Sequence, residues 1–302
     1  MINSSLVKPE ISVLEANFDN ATDGVWNAMR FDSLWKDINY KPYYSNQSAG
    51  VELYKEDSLE LLSHMQTGSI DLIFADPPYF LSNNGITCQN GRMVSVNKGE
   101  WDESAGVKKD FEFTKQWLIE CRRILKPTGS IWVSGTYHNI YSIGFAMQML
   151  GFKILNDIAW HKVNPPPNLS CRYFTHATET LLWAKSDPKA KHKYHYKLMK
   201  QENGGRQMPS LWHITPPKLW EKRYSKHPTQ KPEELLRRII LSSSDEGDLI
   251  LDPFTGSGTT GVVAVRYGRA FIGIDKDKHY LDLAMKRIVD EVAAKGGGKC
   301  GR

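Results

Sequence analysis

The sequence predicts an α/β fold, a mostly parallel sheet covered by helices on both faces. Three observations predict it. From Val51 onward, short apolar runs alternate with longer stretches of helical character. Two of the runs, at residues 70–75 and 249–251, read as buried strands. Each leads into a polar block rich in Pro or Gly, Asp76-Pro77-Pro78-Tyr79 after the first and Asp252-Pro253-Phe254-Thr255-Gly256-Ser257-Gly258-Thr259-Thr260 after the second. Open α/β sheets bind ligands at the carboxyl ends of their strands, where both blocks fall.

In chain order, residues 1–46 mix Asn, acids and aromatics such as Trp26, Phe31, Trp35 and Tyr40 without a clear period, and are expected to pack on the domain or help it dimerise. A strand at Val51 to Tyr54 and a helix at Ser58 to Met65, bearing Leu59, Leu61 and Leu62, precede the strand at Ile70 to Ala75. Residues 80–110 hold almost no regular pattern, and a loop of that length inside a compact domain is usually functional or disordered. Phe111 to Leu125 reads as an amphipathic helix stopped by Pro127 and Gly129. The strand at Ile131 to Val133 follows, then a helix from Asn139 to Leu150 that Gly151 ends. Two further strands, Ile154 to Trp160 and Thr178 to Trp183, flank the stretch Asn164-Pro165-Pro166-Pro167-Asn168. After a basic segment, a helix from Pro232 to Leu241 carries proline in its first turn, where the missing N–H costs nothing. The strand Leu249 to Leu251, the helix Thr259 to Arg266, the strand Phe271 to Ile274 and the helix Tyr280 to Val292 complete the pattern.

Composition narrows the classes. A chain of 302 residues with 40% hydrophobic and 11% aromatic residues can bury a sizeable core. Its net charge of +5 is modest, but the charge is concentrated: residues 185–226 hold eleven Lys or Arg against Asp187, Glu202 and Glu221. A run of this kind suits a polyanion as well as a solvated face. Cys88, Cys121, Cys171 and Cys300 are scattered without metal-ligand spacing, which argues against a zinc site or a disulfide framework and suits a reducing cytoplasm. No leader and no run of membrane-spanning length is visible.

Gly256-Ser257-Gly258-Thr259-Thr260-Gly261 fits the pattern GxGxxG between a strand and a helix, with Asp275 closing the next strand. Such glycines let the backbone turn sharply against a ligand, and the acid can grip ribose hydroxyls. The motif alone would serve NAD, FAD or S-adenosylmethionine. It is not a triphosphate-binding loop, because Val262 stands where that loop needs lysine. Asp57 can either accept from a cofactor's adenine amine or cap the helix that begins at Ser58.

The first block suits an exocyclic base amine, whose lone pair is delocalised into its ring. Acceptors that take the amine's hydrogens pull the nitrogen towards tetrahedral geometry. Asp76 offers a carboxylate and Pro77 a carbonyl, the Pro77-Pro78 pair fixes the loop direction, and Tyr79 offers a ring for a planar base to stack on. Catalysis of this kind is mostly alignment and electrostatic support. Methylation of a ring carbon needs a cysteine nucleophile instead, and Cys88 lies in the wrong context, after Thr87.

Together with Gly135-Thr136-Tyr137-His138-Asn139-Ile140, the Pro-rich stretch at 164–168 and His227-Pro228-Thr229-Gln230-Lys231-Pro232, these blocks resemble the beta group of amino-DNA methyltransferases over about Val51 to Val289. The resemblance implies a circularly permuted, seven-stranded, mostly parallel methyltransferase sheet in which the second strand of the usual order comes last, with an inserted target-recognition region. It implies S-adenosylmethionine as cofactor. His227, Thr229 and Lys231 would lie at its methionine part, Asp252, Phe254, Gly256, Gly258 and Thr259 would contact it, and Asp275 would hold the ribose. Asp rather than Ser at position 76 points to adenine N6 in double-stranded DNA. The stretches at 97–102 and 168–176 resemble enzymes of restriction systems and suggest the site GATC, a cognate endonuclease and a homodimer. The expected organisation is an extension at 1–46, a catalytic half at 47–184, a target-recognition region at 185–226, a cofactor half at 227–293 and a flexible tail at 294–302. No further C-terminal domain is expected after the last helix.

Expected DNA contacts are Lys98, Trp101, Asn168, Arg172 and Arg206. The two arginines are candidates for pairing with guanine, while Lys189, Lys191, Lys193 and Lys197 are expected to meet phosphates. The loop at 80–110 would close over the flipped base. Cytosine-N4 or RNA base-amine methylation shares the chemistry and stays open. An oxidoreductase leaves Asp76 to Tyr79 without a role, and a DNA-binding module without catalysis does not need them.

Overall fold

The computed structural model describes residues 31, 33–36, 40–81, 86–89, 92–95, 102–165, 167–168, 171–224 and 229–297. Lys98, Trp101 and His227 lie outside the described residues, as do residues 1–30 and the end of the tail.

The strands are β1 (Tyr44–Asn46), β2 (Val51–Tyr54), β3 (Ile70–Ala75), β4 (Ile86–Gln89), β5 (Arg92–Ser95), β6 (Leu125–Gly135), β7 (Lys153–His161), β8 (Thr178–Lys185), β9 (Leu211–His213), β10 (Leu249–Asp252) and β11 (Ala270–Ile274). The helices are α1 (Ser58–His64), α2 (Val107–Ile124), α3 (Ile140–Met149), α4 (Tyr196–Glu202), α5 (Glu233–Ser243), α6 (Thr259–Arg266) and α7 (Lys278–Gly297). Among the described residues, nine strands form one mixed sheet in the order β1-β2-β11-β10-β3-β6-β8-β7-β9, and β4 pairs with β5 in a separate hairpin.

Nine strands exceed the seven expected because two three-residue strands join the edges. β1 folds back antiparallel on β2, and β9 runs parallel to β7. β9 comes from the basic segment, so that segment enters the sheet and buries Trp212. The long loop also holds more structure than its composition suggests, in the β4–β5 hairpin and an early start to α2. Asp110, in the first turn of α2, accepts hydrogen bonds from Ser104 Oγ at 2.6 Å and Ala105 N at 3.0 Å. These bonds tie the residues before α2, which begins at Val107, to its first turn. At its other end α2 stops at Ile124, close to the expected Leu125, and β6 then runs through Pro127 and Gly129, where a strand was expected only from Ile131; its register against β3 shifts between Ile70 and Leu72.

Helices cover both faces. One face buries Leu61, Leu62, Trp117, Cys121 and Met147 from α1, α2 and α3, and the other buries Leu235, Ile239, Val263 and Ile288 from α5, α6 and α7. Phe31, Leu34 and Trp35 pack into the first layer, where Trp35 meets Tyr54 edge-on with centroids 5.2 Å apart. The decisive pairing for the site is β3 with β10, parallel, with Leu72 opposite Ile250 and Ile73 opposite Leu251. The two blocks are far apart in sequence, yet their strands are neighbours that point the same way.

Candidate active site

Beyond these strand ends lies a cavity of about 920 Å³. It is lined by Asp57, Asp76, Pro78, Thr229, Lys231, Asp252, Phe254, Gly256, Thr259 and Asp275, among others. Asp76 and Pro78 of the expected amine-holding block therefore share one space with most of the expected cofactor residues, while Pro77, Tyr79 and Gly258 are not among its lining residues. Arg172, Arg206 and Asn168 do not line it.

The glycine turn is built by non-local contacts. Gly258 has φ +72°, and a Cβ there would meet the Ala284 Cβ at 2.6 Å, so only glycine fits against α7. Asp252 accepts from Phe254 N at 3.0 Å and Thr260 Oγ1 at 2.5 Å, and burial pushes its pKa up to about 7. Asp275 accepts from Gly256 N at 2.9 Å and Asp277 N at 2.8 Å, and burial pushes its pKa up to about 6. Asp57 serves as the cap of α1, accepting from Leu59 N at 2.7 Å and Glu60 N at 3.1 Å, and its carboxylate also pairs with Lys276. The capping reading of Asp57 is therefore observed, in a residue that also faces the cavity.

The sequence did not reveal Arg287. Its buried guanidinium donates to Ser257 O at 2.7 Å and Thr259 Oγ1 at 2.9 Å, and pairs with Glu233 at 3.2 Å. It thus ties the turn to α5 and α7. A lone Arg in a C-terminal helix carries no signal for this.

At the other block, Asp102 is the residue the sequence undervalued. Its buried carboxylate accepts from the backbone N–H groups of Tyr79, Phe80 and Leu81 at 2.7, 2.8 and 3.2 Å. Phe80 is held at φ +57°, a conformation that side chains other than glycine seldom adopt. Asn139 supports the same turn, donating from Nδ2 to Pro78 O at 3.3 Å while its Oδ1 accepts from Thr136 N at 3.0 Å.

Lys231 was placed by resemblance at the cofactor's methionine part, and the structure adds a second engagement. Its Nζ donates to Asp76 Oδ2 at 2.6 Å and to Tyr79 Oη at 2.8 Å, and lies 3.6 Å from Glu179. Burial alone would lower its pKa, but the carboxylates of Asp76 and Glu179 raise it well above the usual lysine range. Tyr79 donates to Asp76 Oδ1 at 2.6 Å, and burial followed by the Asp76 charge raises its pKa well above the tyrosine range. Its ring, expected to offer a stacking face, is only 6% exposed and has Lys231 Nζ 5.3 Å from its centroid.

Among the basic residues, Arg172, Arg206, Lys189, Lys191 and Lys197 are exposed. Lys193 is not placed for phosphate: it pairs with Asp248 at 2.6 Å, Asp245 at 3.1 Å and Asp71 at 3.7 Å. The cause is its position opposite acids that close β3 and β10 at their other end. Asn168 spends its amide on Tyr173 O at 2.6 Å. No group of three or more potential metal ligands occurs among the described residues, and no described helix is long and apolar enough to cross a membrane.

Residues 70–286 match the family model described as DNA methylase. Over 252 residues the chain is 56% identical to the Type II methyltransferase M2.DpnII of Streptococcus pneumoniae, covering 83% of this chain and 93% of that protein. The chain belongs to the DNA methylase family. The methylase is also 56% identical over 249 residues to the Type II methyltransferase M2.LlaDCHI of Lactococcus lactis subsp. cremoris, covering 82% of this chain and 92% of that one. Among solved structures, the methylase resembles an M1.HpyAVI-SAM complex at TM-score 0.59 and 28% identity, covering 79% of this chain and 98% of that one. It resembles the PvuII cytosine-N4-specific DNA methyltransferase at TM-score 0.65, 86% of this chain and 96% of that chain, but at 22% identity that likeness concerns the fold.

Proposed function

We propose that this methylase transfers a methyl group from S-adenosylmethionine to the N6 amine of an adenine extruded from double-stranded DNA, at GATC, within a restriction-modification system that includes a cognate endonuclease. One observation carries the reading: the Asp76 carboxylate and the Gly256–Thr259 turn line the same cavity, at the carboxyl ends of adjacent parallel strands.

The residues present fit the cofactor. Asp275 offers a carboxylate for ribose hydroxyls, the turn at Gly256 admits close backbone approach, and Thr229, Lys231 and Phe254 also line the cavity. When bound, S-adenosylmethionine supplies an electrophilic methyl group. Asp76 and the Pro77 carbonyl accept the amine's hydrogens and orient its lone pair. Lys231 and Tyr79 fix the Asp76 carboxylate from two sides, and Asp102 and Asn139 fix the loop that carries it. Preset polar groups of this kind need no rearrangement during transfer.

The test is to incubate the protein with unmethylated GATC duplex and cofactor, then digest the DNA and identify the modified nucleoside by mass spectrometry. N6-methyladenine, lost in Asp76→Ala with cofactor binding retained, is the expected result. N4-methylcytosine, or methylation undiminished in Asp76→Ala, refutes the reading.

A further inference from the structure

Four aromatic rings form an exposed row beside the catalytic loop, and neither the cavity nor the cofactor chemistry uses them. Tyr137 stacks on His176 with centroids 4.2 Å apart and planes at 16°. His138 lies 3.8 Å from Tyr137 on one side, and Tyr173 lies 5.7 Å from His176 on the other. Tyr137 is 48% exposed, Tyr173 62% and the adjoining Phe174 95%. Single exposed tyrosines and histidines are ordinary, but contiguous exposed rings form a patch of the kind that contacts a partner.

The fold ties the row to the catalytic loop through Asn139. Gly135, at the end of β6, pairs with Thr180 on β8. Tyr137 therefore leaves the sheet next to the segment that brings in Tyr173 and His176. Asn139, two residues beyond Tyr137, holds Pro78 of the catalytic loop. A Cβ on Gly135 would meet Asn139 Oδ1 at 2.7 Å, so this connection is tight and the row cannot drift far from the loop.

Charge identifies the occupant. Residues 136–139 and 161–178 contain no acid and hold Lys162, Arg172 and the histidines His138, His161 and His176, although Lys162 is paired with the adjoining Glu179 at 2.5 Å. Planar rings among positive and titratable groups suit the bases of a polyanion, which stack on Tyr, Phe and His.

We infer that the Tyr137–His176 row is a stacking ledge for a nucleobase of the substrate DNA outside the catalytic cavity, next to the extruded adenine. The inference rests on the DNA-methylation reading above. It gives the enzyme a second hold on the strand, apart from the phosphate contacts and from the acceptors at Asp76.

The experiment compares the full-length parent with Tyr137→Leu, His176→Leu and Tyr137→Phe, on a fluorescent GATC duplex with S-adenosylhomocysteine present. The two leucine variants are expected to weaken DNA binding by roughly 5- to 150-fold, the range for loss of one base–aromatic stack. Tyr137→Phe keeps the ring and is expected to stay within about threefold. Cofactor affinity by calorimetry should not change in any of them, which checks folding. The salt slope should also match the parent's, because no phosphate contact is removed. A duplex with 2-aminopurine beside the target adenine should change fluorescence with the parent and not with Tyr137→Leu. Parental DNA affinity in both leucine variants overturns the ledge, as does a change in oligomeric state with DNA affinity intact. If the parent makes no N6-methyladenine while its binding still depends on the ring, the reaction assigned above fails and the ledge stands. If the parent methylates and the ring is dispensable, the ledge alone fails.

Discussion

Replacing Asp102 by alanine removes a carboxylate that touches neither cavity nor cofactor, yet it should disable the chemistry. Three backbone N–H groups, of Tyr79, Phe80 and Leu81, converge on it. Hydrogen bonds to a charged acceptor contribute about 1.5–3 kcal/mol each. The 3.2 Å bond to the part-exposed Leu81 is the weakest, and water can replace it. Truncation therefore costs roughly 3–6 kcal/mol of order in this turn. Phe80 stands at φ +57°, a strain of about 1–3 kcal/mol that persists only while its surroundings enforce it. Once released, the turn relaxes and carries Pro77, Pro78 and Tyr79 with it. Misplacement of a reacting group by about 1 Å can cost on the order of 100-fold in rate. Single-turnover methylation of a GATC duplex is expected to slow about 100-fold in Asp102→Ala and about tenfold in Asp102→Asn, which keeps one acceptor oxygen. Cofactor affinity should hold within about threefold, because the glycine turn belongs to other strands. An Asp102→Ala enzyme at the parental rate refutes the claim that this carboxylate sets the loop.

The remaining predictions concern the cofactor half. Burial sets the Asp275 pKa at about 6; above that pH the group is an acceptor for ribose hydroxyls and below it is protonated. Cofactor affinity should therefore rise with pH through about 6, by up to about tenfold per unit below it, and calorimetry from pH 5 to 8 on the parent and Asp275→Asn should show the inflection near 6 only in the parent, with any step near 7 from Asp252 common to both. Gly258→Ala combines a φ of +72° with a Cβ 2.6 Å from that of Ala284, so a loss of roughly 2–4 kcal/mol and of cofactor binding is expected in denaturant titrations and calorimetry. Arg287→Met leaves Glu233 and the Ser257 carbonyl short of a buried donor; it should destabilise the fold by about 3–5 kcal/mol, partly recovered in the double variant with Glu233→Gln.

The parts of this fold legible in the sequence are those whose cause is local. Apolar runs such as Ile70–Ala75 and Leu249–Leu251 announce buried strands wherever they pair, and the blocks after them mark where a ligand belongs. β9 was not legible: Leu211-Trp212-His213 is three residues long, and its place beside β7 is set by a partner some fifty residues earlier in the chain. Asp102 and Arg287 act on backbone atoms more than twenty residues away, so no spacing rule reveals them. Lys231 was visible as a site residue, but its contact with Asp76 depends on how α5 meets β3 in space. Lys193 looked like part of a basic face because its three acidic partners are scattered through the sequence at 71, 245 and 248.

The strand order also constrains how the protein is made. β2 and β3 are early in the chain, yet β11 and β10 lie between them in the sheet. A ribosome delivers that central pair after every other described strand, so the nascent chain carries two open edges until residues 249–274 emerge. Pairings between such distant segments form slowly, and exposed strand edges invite aggregation. Chaperone dependence should therefore be concentrated in this interval of synthesis. Truncation before β10 would abolish the cleft altogether rather than weaken it, so a nascent chain has no assembled site until these two strands emerge.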